Sequence, residues 1–381
     1  MSTTVIVTLP RFEHLTAART TIGIGLARPR ISWAVSEVAP GAAQTAYEIE
    51  VTRGGESRTF VVRDTSQVLV PWPDAPLRSR ESASVRVRVD IGGEWSTWSA
   101  ASSVEAGLLE PRDWVAEFVS PVGIAGLDSP APVLTGRITV DGTVARARLF
   151  ATAHGIYVPS INGVRVDDTV LAPGWTAYDA RLRYQAYDVT ELIQTGDNEV
   201  SALLGNGWYR GYLSYMGERA LYGDRLALCA QLEITMTDGR LLTLATDPTW
   251  VAHESGVLAD DLYNGQTVDL RSDWRQTPGA PVEVVSSATH ALVAAEGPPM
   301  RPTAVHEAVD VWTSPSGRTL IDFGQNAVGW VRLTVRGLAA GTEVVIRHAE
   351  VLEHGELGTR PLRSAKATDR YLIAGEDEQV L

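Results

Sequence analysis

Val85-Arg86-Val87-Arg88-Val89-Asp90-Ile91-Gly92-Gly93, followed closely by Trp95-Ser96-Thr97-Trp98-Ser99, is the stretch that decides the fold class. Apolar side chains alternate with charged ones, the period-two pattern of a strand with one dry face and one wet face. Tyr47, Ile49 and Val51 repeat it against Glu48, Glu50 and Thr52. Short runs of this kind recur along the chain. Turn signals separate them, at Gly54-Gly55, Pro71-Trp72-Pro73, Asn162-Gly163 and Asp238-Gly239. Stretches of helical period are few. The pattern predicts an all-β chain of tandem β-sandwiches.

Composition narrows the function classes. The chain has 381 residues, enough for two or three domains with their own cores. With 44% hydrophobic and 21% charged residues it reads as globular, not disordered. A formal net charge of −13 argues against a nucleic-acid partner, which needs a basic face, and accords with a neutral ligand such as a sugar. Cys229 is the only cysteine, so neither an intrachain disulfide nor a cysteine-rich zinc site can form. Its neighbours Leu226, Ala227, Leu228 and Ala230 mark it as an inert core thiol. No run of apolar residues is long enough to span a membrane. Met1 to Leu15 lacks a basic segment followed by an apolar stretch, so the expected compartment is the cytoplasm. The 11 Trp residues, against 5 Phe, are large apolar plates with a polar edge, suited to sandwich cores and to stacking on sugar rings.

Three units are expected. Residues 1–107 read as a small sandwich of roughly seven strands, in keeping with the short, regularly spaced strands of such folds. Pro29-Arg30-Ile31-Ser32-Trp33, Gln44-Thr45-Ala46-Tyr47 and the Trp95 to Ser99 segment resemble the core tryptophans and the Trp-Ser ending of fibronectin type III domains. Residues 108–300 read as a loop-decorated jelly-roll sandwich. Its clearest element is a hairpin in which Tyr157–Ile161 and Val164–Val166 flank Asn162-Gly163, residues that tolerate the positive φ of a type I′ turn. Asp188-Val189-Thr190-Glu191-Leu192 predicts one short capped helix. Pro298-Pro299-Met300-Arg301-Pro302 is a stiff, extended linker. Residues 301–381 then begin a third sandwich that is expected to be incomplete, with unpaired edges and exposed apolar surface.

A series of motifs, in order, resembles the bacterial α-L-rhamnosidases, family 78 of the glycoside hydrolases. They run from Ala147-Arg148-Leu149-Phe150 to Asn162-Gly163, then Leu171-Ala172-Pro173-Gly174-Trp175-Thr176-Ala177-Tyr178 and Tyr187-Asp188-Val189-Thr190. Next come Leu204-Gly205-Asn206-Gly207-Trp208-Tyr209 and Ile321-Asp322-Phe323-Gly324-Gln325-Asn326-Ala327-Val328-Gly329-Trp330. Arg347-His348-Ala349-Glu350-Val351-Leu352 and Ala367-Thr368-Asp369-Arg370-Tyr371 complete the series. The resemblance implies accessory sandwiches placed before an (α/α)6 barrel whose paired acids hydrolyse terminal α-L-rhamnosyl bonds with inversion. Inversion requires two carboxyl groups roughly 6.5–9.5 Å apart, with room for the attacking water. These alternating segments cannot build such a barrel, so no catalytic residue is assigned and the chain alone is expected to be inactive. The implied partners are L-rhamnose-containing glycosides and the downstream barrel.

Two loops could still contact a ligand. Asn206-Gly207-Trp208-Tyr209-Arg210-Gly211-Tyr212, with Tyr215, combines aromatic stacking faces, hydrogen-bonding groups and glycines that allow close approach. In some relatives the equivalent domain is a calcium-dependent rhamnose-binding module. The plainer alternative is that Trp208 and Tyr209 plug the end of the sandwich. The second loop, Asp260-Asp261-Leu262-Tyr263-Asn264-Gly265-Gln266 with Asp269 nearby, has oxygen ligands of the kind calcium takes, though not at EF-hand spacing. Tyr263 and Asn264 are its sugar-contact candidates, and Asp260 and Asp261 its metal candidates. Members of the family often carry Glu where Gln266 stands, and Asp and Asn in loops commonly form turns. Asp197-Asn198 is a further oxygen-rich pair, read as a turn. His348 and Glu350, two apart on a predicted strand, would share a face, and the plainer reading is that both are solvated. No cofactor is required, with calcium as an optional ligand. The alternative to an accessory region is a free-standing rhamnose-binding protein.

Overall fold

The computed structural model describes residues 5–16, 18–286 and 291–381. It is nearly all β, with 45% strand and 4% helix, so no ring of helices exists among the described residues. The one α-helix there is a single turn, Gly207–Arg210.

In the first unit, strand Ser82–Ile91 lies between Gln44–Arg53 and Ser102–Ala106. Glu56–Val62 adds an outer antiparallel strand and Thr20–Ile24 a parallel one. The opposing layer consists of short pieces, Ile6–Val7 with Val35–Ser36 and Arg11–Phe12 with Ile31–Ser32. Alternation works as expected: Val85, Val87 and Val89 point inward with Tyr47, Ile49, Val51 and Trp33. Trp33 is held edge-on to Tyr47, and its indole N–H donates to Gln44. Trp95 and Trp98 are not core residues. They lie on the wet face, where the Arg88 guanidinium covers both rings and Arg86 also covers Trp98. The same arginines pair with Glu48 and Glu50 on the neighbouring strand. The polar residues of the alternation thus build a cation–π ladder that holds the tryptophans outside.

The second unit is organised around Ala227–Met236, buried along almost its whole length between Val144–His154 and Leu241–Ala245. Facing it are Ile156–Ile161, Gly196–Gly205, Pro132–Val140 and Val251–Glu254. Strand Ala280–Val284 bonds to Val251–Glu254 and to Val119–Pro121, which itself pairs with Ala227–Met236, and so joins the two sets along one side. Cys229 is buried here, and the apolar surroundings push its thiol up to about 12. The Asn162-Gly163 hairpin forms with both residues at positive φ. The expected short helix is a single 3-10 turn, Thr190–Leu192, whose Thr190 N–H donates to Asp188. Asp197 and Asn198 belong to strand Gly196–Gly205, not to a turn. Asn198 is buried because it bonds the Asn162 amide and the 194–196 backbone.

The third unit is thin. A four-stranded sheet runs Val257–Asp261, Gly265–Asp269, Thr368–Leu372, Glu343–Arg347, so strand pairing crosses residue 300. Three separate two-stranded ribbons complete the described part of this unit. Val309, Val311, Ile321, Val328 and Trp330 are exposed.

Candidate functional site

The Asn206–Tyr212 loop follows directly from strand Gly196–Gly205. Gly207 has φ +50°, and a Cβ there would lie 2.5 Å from Ile156, so only glycine lets the chain turn this close to the sheet. The single helical turn aims Arg210 inward. Arg210 is 1% exposed, the largest fully buried side chain described. Its Nε donates to Asn206 Oδ1 at 2.5 Å, and Nη1 donates to the Ala125 carbonyl at 2.7 Å. Asn206 in turn donates its backbone N–H to Asp260 Oδ2 at 2.6 Å and its amide to Asp260 Oδ1 at 3.1 Å. The result is a buried relay, Arg210 to Asn206 to Asp260.

Burial disfavours both charged ends of this relay. It lowers the Arg210 guanidinium to about 10 against the pull of Asp260. It also raises the Asp260 carboxyl above its usual range, despite the Asn206 N–H and Arg210. Asp261 serves as a cap. Its Oδ1 accepts from the Tyr263 and Asn264 backbone, and Oδ2 accepts from Tyr212 N–H at 2.8 Å.

These bonds correct one of the sequence expectations. Asn206 and Arg210 face the interior and are committed to each other and to Asp260, so neither is presented to a sugar. Every carboxylate oxygen of Asp260 and Asp261 accepts an N–H donor, so both side chains hold the loop in place. No group of three or more His, Cys, Asp or Glu that could hold a metal occurs among the described residues.

Tyr209, 9% exposed, plugs the sandwich end. Its ring stacks on His154, which stacks on Phe118, and Tyr178 meets it edge-on. Trp208 stays at the rim, its indole nearly parallel to Trp175 with centroids 6.2 Å apart. Trp175 is half exposed and donates to the Tyr222 hydroxyl at 3.2 Å. Tyr212 lies under Arg219, and the exposed Tyr215 lies under Arg363. Tyr263 is partly exposed and Asn264 half-buried on the adjoining turn. The accessible surface is therefore aromatic, with Trp175, Trp208 and Tyr222 at its centre. Sequence reading did not select Trp175 or Tyr222 because nothing local pairs them with Trp208. The signal available was an exposed indole beside the Pro173-Gly174 turn.

His348 does not share a strand face with Glu350, because strand Glu343–Arg347 ends before it. It pairs with Asp369 Oδ2 at 2.8 Å, and Asp369 Oδ1 accepts the Gln266 N–H at 3.0 Å. The Gln266 side chain donates to Tyr371 OH at 2.9 Å. This cluster joins the second unit's hairpin to the third unit's sheet.

Tandem all-β units followed by a thin third sheet define a class of multidomain β-sandwich chains, and comparison with known proteins resolves which. Three family models match in order: "Rha78A-like, N-terminal immunoglobulin domain" over 7–110, "Alpha-L-rhamnosidase N-terminal domain" over 142–304, and "Bacterial alpha-L-rhamnosidase concanavalin-like domain" over 312–381. An α-L-rhamnosidase of Streptomyces avermitilis is 40% identical over 250 residues, covering 62% of this chain and 24% of its own length. The crystal structure of an Aspergillus terreus α-L-rhamnosidase superposes with a TM-score of 0.93 at 38% identity, over 99% of this chain and 45% of that one. That of a Streptomyces avermitilis α-L-rhamnosidase complexed with L-rhamnose gives 0.90 at 25% identity, over 99% and 54%. The chain belongs to the α-L-rhamnosidase family and corresponds to the N-terminal portion of those proteins. It spans between about a quarter and about half of the relatives' lengths.

Proposed function

We propose that this chain is the accessory region of a glycoside hydrolase that removes terminal α-L-rhamnosyl residues by inversion, with the chemistry housed in a helical barrel that this chain does not itself form. One observation carries the reading: the Aspergillus terreus enzyme matches all but 1% of this chain with a TM-score of 0.93, yet less than half of that enzyme is matched. The local chemistry agrees. Asp260 and Asp261 accept N–H bonds from the Asn206, Tyr212, Tyr263 and Asn264 backbone, which gives both a part in holding the loops together. Residues 1–381 are expected to release no 4-nitrophenol from 4-nitrophenyl α-L-rhamnoside, and the same chain joined to a rhamnosidase barrel is expected to do so. Turnover by residues 1–381 alone would overturn the proposal.

A second reading, a sugar-binding role for the middle sandwich, draws support from the Trp175–Trp208–Tyr222 surface, since the half-exposed Trp175 indole, parallel to the partly buried Trp208, offers an aromatic edge and face to a pyranose. Titration calorimetry with L-rhamnose, with and without calcium, tests it. Heat that disappears in Trp208→Ala supports the reading, and absence of heat at millimolar sugar removes it.

A further inference from the structure

In the third unit, strands Asp310–Thr313 and Thr319–Asp322 form a ribbon with Val311 opposite Ile321 and Trp312 opposite Leu320. Its two faces can be compared directly. Leu320 is 8% exposed, so that face is packed against the molecule. On the other face Val311 is 58% and Ile321 42% exposed, and Val309 continues the row at 66%. The Val309 N–H donates to the Asp322 carbonyl, which extends the ladder and sets Val309 on the same face as Val311. The turn that follows returns to this row, since a Cβ on Gly324 would lie 3.2 Å from Val309. Val328 and Trp330 come next and are also exposed.

A two-stranded ribbon is not stable alone in water, and one with apolar residues on both faces has the pattern of a strand buried from both sides. Ordinary wet faces in this chain look different. In the first unit the outward positions between Val85 and Ile91 are Arg86, Arg88 and Asp90, and the arginines are paired with glutamates. The ribbon has valine and isoleucine where those positions have charge.

We infer that the Val309–Val311–Ile321 face is the docking surface for the polypeptide that follows this region in α-L-rhamnosidases, and that this chain can take up that polypeptide in trans. The inference rests on the accessory-region reading. The occupant follows from the comparisons: relatives that contain this whole architecture carry about as much chain again, while both of the other units here are already closed by their own cores.

The test is co-expression of the full 381-residue chain, tagged, with the untagged remainder of the Aspergillus terreus α-L-rhamnosidase C-terminal to the matched region. Light scattering after size-exclusion should report a 1:1 complex, and the dye 1-anilinonaphthalene-8-sulfonate should bind the free chain and be displaced in the complex. The doubly substituted Val311→Asp, Ile321→Asp chain should lose at least ten-fold in affinity with its circular dichroism unchanged. Val61→Asp, at an exposed valine of the first unit, should behave as wild type. No complex with the wild-type chain, a complex indifferent to the double substitution, or a homodimer that the double substitution dissolves would each overturn the inference. Rhamnoside hydrolysis is read separately. A substitution-sensitive complex without hydrolysis counts against the enzyme reading alone, and hydrolysis indifferent to the substitutions counts against the docking face alone.

Discussion

The two junctions of this molecule are built on opposite principles. Between the first and second units, side chains do the joining. Glu105 receives two bonds from Arg148, at 2.8 and 3.0 Å, and a third from Arg146. Arg80 binds Glu233 through both Nε and Nη2 at 2.6 Å. Tyr184 OH accepts from the Leu108 N–H and donates to its carbonyl. Gly23 and Gly25 let the strands touch: a Cβ on Gly23 would lie 2.3 Å from that of Ala186. Between the second and third units, the backbone does most of the joining, with the side-chain bonds of Asp369 and Gln266 beside it. Strand Gly265–Asp269 runs parallel to Thr368–Leu372 and makes one sheet of residues from both. A side-chain junction is specific and brittle, whereas a strand junction tolerates substitution as long as its ladder survives.

The largest test of that difference is Glu105→Ala. Glu105 and Arg148 are 5% and 10% exposed, so removal of the acid takes two bonds from a buried guanidinium and leaves it Asp188, at 2.7 Å, as its ionic partner, at a cost of about 3 kcal/mol, the lower end for breaking a buried pair. Hydrogen exchange in Ser102–Ala106 and Arg181–Asp188 should accelerate, with Thr368–Leu372 unchanged. Replacing both partners, Glu105→Met with Arg148→Met, should be close to neutral, because the charges that lose a partner, Arg146 and Asp188, are solvent-accessible. A single substitution as mild as the double one would show that the junction does not depend on its ion pair.

Asn206→Ala probes where the hairpin of the second junction is anchored. It leaves the Arg210 Nε without its acceptor and takes the side-chain amide from Asp260, whose bond from the residue-206 backbone N–H survives, at a cost of about 1–3 kcal/mol. Exchange should rise in Val257–Asp261 while Gly265–Asp269 stays protected by its neighbours in the third unit. Equal loss in both strands would mean that the hairpin is held from the second unit alone.

The two junctions also differ in how much of them the sequence displays. Period-two alternation at Val85–Ile91 and Tyr47–Val51 is local, so strand class and core face could be read directly, and the Asn162-Gly163 turn likewise. The pairing of Gly265–Asp269 with a strand a hundred residues away is not local, and neither Asp260 nor Asp261 signals which unit its hairpin joins. The same holds at the candidate site. Asn206 and Arg210 look like sugar ligands as residue types, and only the approach of Asp260 turns them inward. Trp208 could be selected from its own loop, but its partner Trp175 could not.

Acid should act on the second junction. Burial would raise the Asp369 carboxyl, yet the His348 hydrogen bond and the Gln266 N–H hold it below its usual value. A folded-state pKa below the unfolded one means that this stabilisation is fully present above the ordinary Asp value of about 3.9 and is lost as the pH falls through the folded value. Exchange at Gly265–Asp269, corrected for its intrinsic pH dependence, should therefore increase below about pH 4, and Asp369→Asn should flatten that increase. An unchanged profile in Asp369→Asn would assign the acid sensitivity elsewhere.

The smallest expected effect is the most diagnostic of the backbone principle. Gln266 Nε2 donates to Tyr371 OH at 2.9 Å, beside the parallel ladder formed by Thr267, Val268 and Asp269 with Arg370, Tyr371 and Leu372. Gln266→Ala removes that one side-chain bond and leaves the ladder in place, so it should cost about 0.5–1.5 kcal/mol. Tyr371 is 9% exposed, and its hydroxyl must then find water at the sheet edge, which sets the upper end of that range. Tyr371→Phe in the Gln266→Ala background should add almost nothing, because the two groups have lost the same bond. If Gln266→Ala alone instead costs as much as Glu105→Ala, the second junction is held by side chains after all, and the contrast between the two junctions disappears.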